Sequence, residues 1–240
     1  MLVPVARLES VRIMIALVAH KGWSIHHMNV KSALLKGELQ DKMYVSQPAG
    51  FVVGGKDDKM LRFDKQDSTG ISMNQTAYSG KILEKSGMKG CNPCLVFTEP
   101  WFKLSRMTTA STTDATTYWS IVGSLRYLVH TRLDIAYSVG YLSRFMEAST
   151  TEHLAAVKHI LWYIARTQHY GCQYGRKNVN VALVGYSDSD MAGDIDTRKS
   201  TTNVLFFLGK SIISWQSHKQ KVVRLSSCKA VYIAAATAAC

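Results

Sequence analysis

Halfway along this chain the spacing of the apolar residues changes, and that change limits the fold to a mixture of helix and sheet. From Tyr118 to Tyr170 apolar side chains recur at three- and four-residue steps, with Leu154, Val157, Ile160, Leu161 and Ile164 forming one stripe. That is the period of an amphipathic helix. Beyond it the apolar residues come in short runs, Ala182–Tyr186, Val204–Leu208 and Ile212–Trp215, with Gly209 between the last two. Runs of that length bounded by turn residues read as strands, and Gly209 to Ser211 is hairpin-sized. The expected class is α+β or α/β.

The same reading extends over the rest of the chain. Leu8, Val11, Met14, Ile15 and Val18 predict a helix over 6–21, with Gly22 as its stop. Short strands are expected at Trp23–Val30 and Met43–Val45, and a further helix over Thr76–Met88. Residues 53–69 are polar and charged, and 108–117 hold six Thr, a composition that suits a flexible linker. Ser149 and Glu152 have capping-box spacing ahead of the apolar stripe, and Gly171 is a natural stop after it. Lys221–Leu225 reads as one more strand and Ser227–Cys240 as an Ala-rich helix.

At 240 residues, 47% of them hydrophobic and 19% charged, the chain can build a real core. Its formal net charge of +12 favours polyanions, nucleic acid first, because neutralising phosphates releases condensed counterions. The five cysteines have no framework spacing, which points to an intracellular setting, nucleus or cytoplasm, rather than secretion. Cys91 and Cys94 form a lone C-x-x-C without the second ligand pair of a zinc site. The longest apolar stretches are far too short for a membrane span.

One cluster has the composition of a catalytic centre. Asp188, Asp190, Asp194 and Asp196 follow the strand ending at Tyr186. Carboxylates at a strand end are the hard oxygen ligands that Mg²⁺ prefers. Two-metal phosphoryl chemistry needs such ligands converging from separate segments, however, and a solvated Asp-rich turn has the same sequence signature.

Val184-Gly185-Tyr186-Ser187-Asp188-Ser189-Asp190, Ala192-Gly193-Asp194 and Arg198-Lys199-Ser200-Thr201 resemble the ribonuclease H segment of copia-type retrotransposon Pol polyproteins. So do Ile213-Ser214-Trp215, Lys219-Gln220-Lys221 and Leu225-Ser226-Ser227. Ser120 to Leu125 and Thr131 to Tyr137 resemble the region just upstream in those polyproteins. Ala6-Arg7-Leu8-Glu9, Lys21-Gly22-Trp23 and Val30-Lys31-Ser32-Ala33 through Gln47-Pro48 resemble the start of their reverse transcriptase. The resemblance divides the chain into four segments. Residues 1–66 correspond to a partial reverse transcriptase, 67–117 to a junction and linker, 118–178 to a helical connection, and 179–240 to a truncated ribonuclease H-like domain.

The resemblance implies RNA-directed DNA polymerase and hybrid-cleaving ribonuclease activities using Mg²⁺. It also shows where this chain departs from the pattern. Asn29 stands where the family has its first polymerase Asp, and no Tyr-Val-Asp-Asp occurs anywhere in the chain. Asp188 matches the first ribonuclease H carboxylate, a candidate metal ligand. Lys229 and Val231 replace the two glutamates of the following helix, with Val231 at the catalytic position, and the next catalytic Asp would lie beyond Cys240. The expectation is therefore an inactive Pol fragment. Two alternatives stay open: a basic module that binds RNA, DNA or their hybrid without cleaving it, and a weak nuclease using Asp188, Asp190 and Asp194.

Overall fold

The computed structural model describes residues 7–25, 62–94, 104–176 and 181–239. The expected strand at Met43–Val45, all but the start of Trp23–Val30, and Asn29 lie outside the described residues. In chain order the elements are α1 (Leu8–Lys21), β1 (Arg62–Gln66), β2 (Gly70–Asn74), α2 (Thr76–Lys85), α3 (Ala115–Leu128), α4 (Ala136–Leu142) and α5 (Thr151–Arg166). β3 (Gly171–Gly175), β4 (Leu183–Ser189), β5 (Thr201–Leu208), β6 (Ser211–Lys219) and α6 (Ser227–Ala239) complete them. The strands form two three-stranded antiparallel sheets, β1-β2-β3 and β4-β5-β6. The class is a mixture of helices with small antiparallel sheets.

The helical stretch packs as a bundle. Tyr118, Val122, Leu125 and Leu128 of α3 meet Val157, Ile160, Leu161 and Ile164 of α5, with α4 and α2 closing the core. Asp114 caps α3 by accepting from the N–H groups of Thr116 and Thr117. The Thr-rich stretch is therefore held in place: Thr112 bridges Thr150, and Thr113 N–H donates to the Ser149 carbonyl. Arg132 ties the ends of the bundle together. Its guanidinium donates to Asp134 through Nε and Nη2 and to the Thr167 carbonyl through Nη1.

Four local expectations need correction. The helical period read from Tyr118 to Tyr170 is interrupted, because α4 is short and flanked by 3₁₀ turns at Leu133–Ile135 and Ser143–Phe145. The capping box uses Thr150 and His153 rather than Ser149 and Glu152, because the buried His153 Nδ1 accepts the Thr150 N–H. Lys221–Leu225 adopts no strand, since the chain turns there to reach α6. Gly171 stops no helix. It opens β3 opposite Asn74, where an added Cβ would lie 2.2 Å from the Met73 carbonyl oxygen, so only glycine fits this strand pair.

The second core joins all four sequence segments. Ile15, Ala16 and Ala19 of α1 pack with Ile71 and Met73 of β2, Cys172 and Tyr174 of β3, and Ile213 and Trp215 of β6. The two alanines let α1 approach both sheets closely. Gly22, in the left-handed conformation at φ 71°, ends the helix and accounts for the stop read from sequence. One turn before Ile15 lies Arg12, only 3% exposed. Its guanidinium sits 3.7 Å from the centroid of the Trp215 ring, and Nη2 donates to the His130 carbonyl at 2.7 Å. Burial lowers its pKa, against nearby Tyr174, Cys172 and Glu9. The ring face and the carbonyl thus stand in for the water that the cation has lost.

Replacing Arg12 by Ala removes a desolvated cation–π contact and a charge-assisted hydrogen bond, and leaves a cavity against Trp215. Arg12→Ala should cost about 2–4 kcal/mol. Chemical denaturation followed by tryptophan fluorescence checks this, and a loss below about 1 kcal/mol would contradict it.

Candidate active site

The Asp-rich loop joins β4 to β5, and each of its carboxylates has a definite place. Asp188 lies near the end of β4, exposed, opposite Asn203 of β5. Asp190 is turned inward: its Oδ1 accepts the Thr201 N–H, and its own N–H donates to the Thr201 carbonyl. Gly193 lies close beneath it: a Cβ there would lie 2.1 Å from Asp190 Oδ2, so a side chain at 193 would displace the carboxylate. Asp196 accepts from Ser105 Oγ and from the Arg106 N–H, fastening the loop to the segment that precedes α3.

Asp194 is the most heavily used. Its Oδ2 accepts from Lys219 Nζ at 2.8 Å and Arg144 Nη1 at 3.3 Å, and its Oδ1 from Thr197 N–H at 2.8 Å. Burial pushes the carboxyl pKa up, but Lys219 and Thr197 pull it further the other way, to about 2. Lys219 belongs to β6 and Arg144 follows α4, so this one carboxylate joins the second sheet to the bundle.

The helix that follows carries the other two predicted positions. α6 packs across β4 and β5 with Ala230 and Ala234 buried. Lys229 and Val231 flank Ala230 in the first turns of α6, and both are exposed. α6 thus lies against β4, the strand that carries Asp188, and presents Lys229 and Val231 to solvent. Among the described residues no three His, Cys, Asp or Glu side chains are grouped so as to hold a metal ion. No described helix is long and apolar enough to cross a membrane.

Sequence reasoning missed what holds this region together. Gln220, buried at the end of β6, donates from Nε2 to Ser189 Oγ, Thr202 Oγ1 and the Ala230 carbonyl, joining β4, β5 and α6. Its backbone N–H donates to the Ser200 carbonyl. The only signal for it was its place inside Lys219-Gln220-Lys221. Arg144 is 50 positions from Asp194 and gave none.

Residues 1–66 match the family model described as reverse transcriptase (RNA-dependent DNA polymerase). The chain is 30% identical, over 95% of its length, to the retrovirus-related Pol polyprotein from transposon RE1 of Arabidopsis thaliana. It is 29% identical, over 97% of its length, to that from transposon TNT 1-94 of Nicotiana tabacum. The chain belongs to the copia-type retrotransposon Pol family.

It spans only 22% and 25% of those two polyproteins. The first alignment runs over 320 positions although the chain has 240 residues, so about ninety positions of the relative have no counterpart inside it. An uncharacterised mitochondrial protein of Arabidopsis thaliana is 38% identical over 73% of the chain and 72% of its own length. No solved structure matches.

The depressed Asp194 pKa gives a signed prediction. An ionised Asp194 contributes stability that is fully present above its ordinary pKa of 3.8 and is lost as pH falls toward 2. Asp194→Asn should cost about 2 kcal/mol at pH 7, and the difference from the parent should close between about pH 4 and pH 2. Denaturation midpoints measured across that range check it. A constant difference down to pH 2 would contradict it.

Proposed function

We propose that this chain is a catalytically inactive remnant of a Pol polyprotein whose family activities are RNA-directed DNA polymerisation and cleavage of RNA–DNA hybrids. The observation that carries this reading is how the loop carboxylates are used. Asp190, Asp194 and Asp196 are bonded to a backbone amide, to two cations and to a neighbouring segment. Two-metal chemistry needs several carboxylates converging on ions roughly 4 Å apart. Asp188 alone does not supply that set. This donor set does not fit Mg²⁺.

The polymerase half points the same way. Asn29, an amide, offers no anionic charge to a metal where the family has Asp, and the Tyr-Val-Asp-Asp turn is missing. About ninety positions of the relative lack a counterpart inside the chain, enough to include the region that carries that turn in the family. A second reading, favoured by the net charge of +12, is that the chain still binds nucleic acid without cleaving it. The weak-nuclease alternative would need Asp194, which its ion pairs already occupy.

The test is incubation of the full chain with a labelled RNA–DNA hybrid in Mg²⁺ or Mn²⁺, beside Asp188→Asn and Val231→Glu. No cleavage above background is expected from any of the three. Metal-dependent cleavage by the parent that disappears in Asp188→Asn would establish the nuclease instead. Cleavage by Val231→Glu alone would show that one carboxylate restores the site.

A further inference from the structure

β4 is an outer strand that lacks the devices by which the other outer strands described here are closed. Its register with β5 is unbroken from Leu183 to Ser189, and among the described residues it pairs on that side alone. Its far side therefore presents a row of backbone N–H and C=O groups to whatever lies beside it. Outer strands are ordinarily blunted by a bulge, a Pro, an outward cation or a covering element. β1 has a bulge between Phe63 and Lys65. β3 and β6 are covered, since both pack with α1 and with each other. β4 runs for seven residues without Pro, Lys or Arg, and without a bulge against β5.

The side chains of this edge are apolar. Leu183 is 65% exposed and Tyr186 59%, and Val184 is exposed as well. Val231 and Tyr232 belong to α6, the helix packed on β4, and both are exposed, Tyr232 by 74%. Together these five side chains offer on the order of 600 Å² to solvent, and a strand contact adds backbone to that, close to the ~800 Å² per partner of a standard interface. Single exposed apolar residues are ordinary, but several on one unpaired strand mark a surface for pairing.

The sequence of β4 is complementary to itself. Antiparallel pairing about a two-fold axis at Gly185 sets Val184 of each copy opposite Tyr186 of the other, and Leu183 opposite Ser187. Aromatic and β-branched residues facing each other across strands are favoured pairs. On the axis Gly185 meets Gly185, so no side chain stands where the strands come closest. Asp188, the only charged residue of the strand, falls opposite Ala182 and stays at the rim. In a chain of net charge +12, this edge lets two copies meet without bringing cations of β4 together. Each copy uses up its open edge in the contact, so a symmetric association stops at two.

We propose that this chain forms a two-fold symmetric dimer in which the open edges of β4 pair antiparallel about Gly185, with α6 of each copy alongside. The two β4-β5-β6 sheets then join into one of six strands. The dimer is independent of any chemistry at the neighbouring carboxylates.

Sedimentation velocity of the full chain from about 1 to 100 μM tests this, because an apolar contact of this size has a Kd in that range. The parent should pass from monomer to dimer with no larger species. Val184→Lys/Tyr186→Lys places Lys opposite Lys at both cross-strand pairs and should weaken the dimer at least tenfold, as should Val184→Glu/Tyr186→Glu. An equimolar mixture of the two sets Lys opposite Glu at each pair, and should associate at least tenfold more tightly than either variant alone. Recovery in the mixture would exclude misfolding as the cause of the losses. In the parent itself, amides of β4 should become at least tenfold better protected from hydrogen exchange across the same concentrations, a readout that needs no variant.

A parent that is still monomeric at about 100 μM, with β4 exchange unchanged, would overturn the proposal and leave the edge to an occupant other than a second copy. A dimer that both double variants leave intact would put the interface elsewhere and overturn it as well. Growth beyond two copies would contradict the symmetric closure. A mixture that stays monomeric, although each variant keeps the parent's tryptophan fluorescence, would overturn the pairing about Gly185.

Discussion

The Arg12 guanidinium against Trp215 is the contact on which the rest of the structure depends. It joins an amino-terminal helix to a strand more than two hundred positions later, and its bond to the His130 carbonyl brings in the end of α3 as well. A buried arginine without a carboxylate is costly unless other groups replace its hydration. Here an indole face and a carbonyl do so in part, with Nε left without a hydrogen-bond partner, and the small Ala16 and Ala19 let the helix sit close enough for both contacts. Around this point α1 covers β2, β3 and β6 together. Segments that resemble different parts of a polyprotein therefore share one core instead of standing as separate pieces.

A second constraint acts at the Asp-rich loop. Three of its four carboxylates hold structure, and Asp194 alone links β6 to the end of α4 through two cations. This arrangement separates two roles that the sequence pattern runs together. Asp190, Asp194 and Asp196 keep the loop folded whatever becomes of catalysis, whereas Asp188, exposed on β4, has no such role. An acid-rich motif can thus owe most of its residues to folding, independently of any chemistry.

The sequence made part of this legible. Periodicity located the bundle helices, the three later strands and the hairpin at Gly209, because those signals are local and the apolar faces are strong. It misjudged features that depend on distant partners. Gly171 looked like a helix stop because the β2 backbone that demands glycine lies about a hundred positions away. The cap of α5 moved by one residue because a buried histidine outcompeted the expected glutamate. The Thr-rich stretch looked loose in composition, yet Thr112, Thr113 and Asp114 are fastened by bonds that composition does not reveal. At the site, the order of motifs pointed to Asp188, Lys229 and Val231 only through resemblance, while Arg144 and Gln220, which organise the region, carried no chemical signature of their own. Arg12 was hidden in the same way, since a lone arginine in an amphipathic helix reads as solvated.

The most direct test of a single core keyed by Arg12 is native-state hydrogen exchange. The core amides of α1 and those of β6 around Trp215 should open with one common free energy, and Arg12→Ala should lower both by the same amount while the α3 and α5 core loses less. If α1 exchanged at a much lower free energy than β6 in the parent chain, or if Arg12→Ala loosened α1 and left β6 unchanged, the helix would be an appendage and the shared core would be disproved.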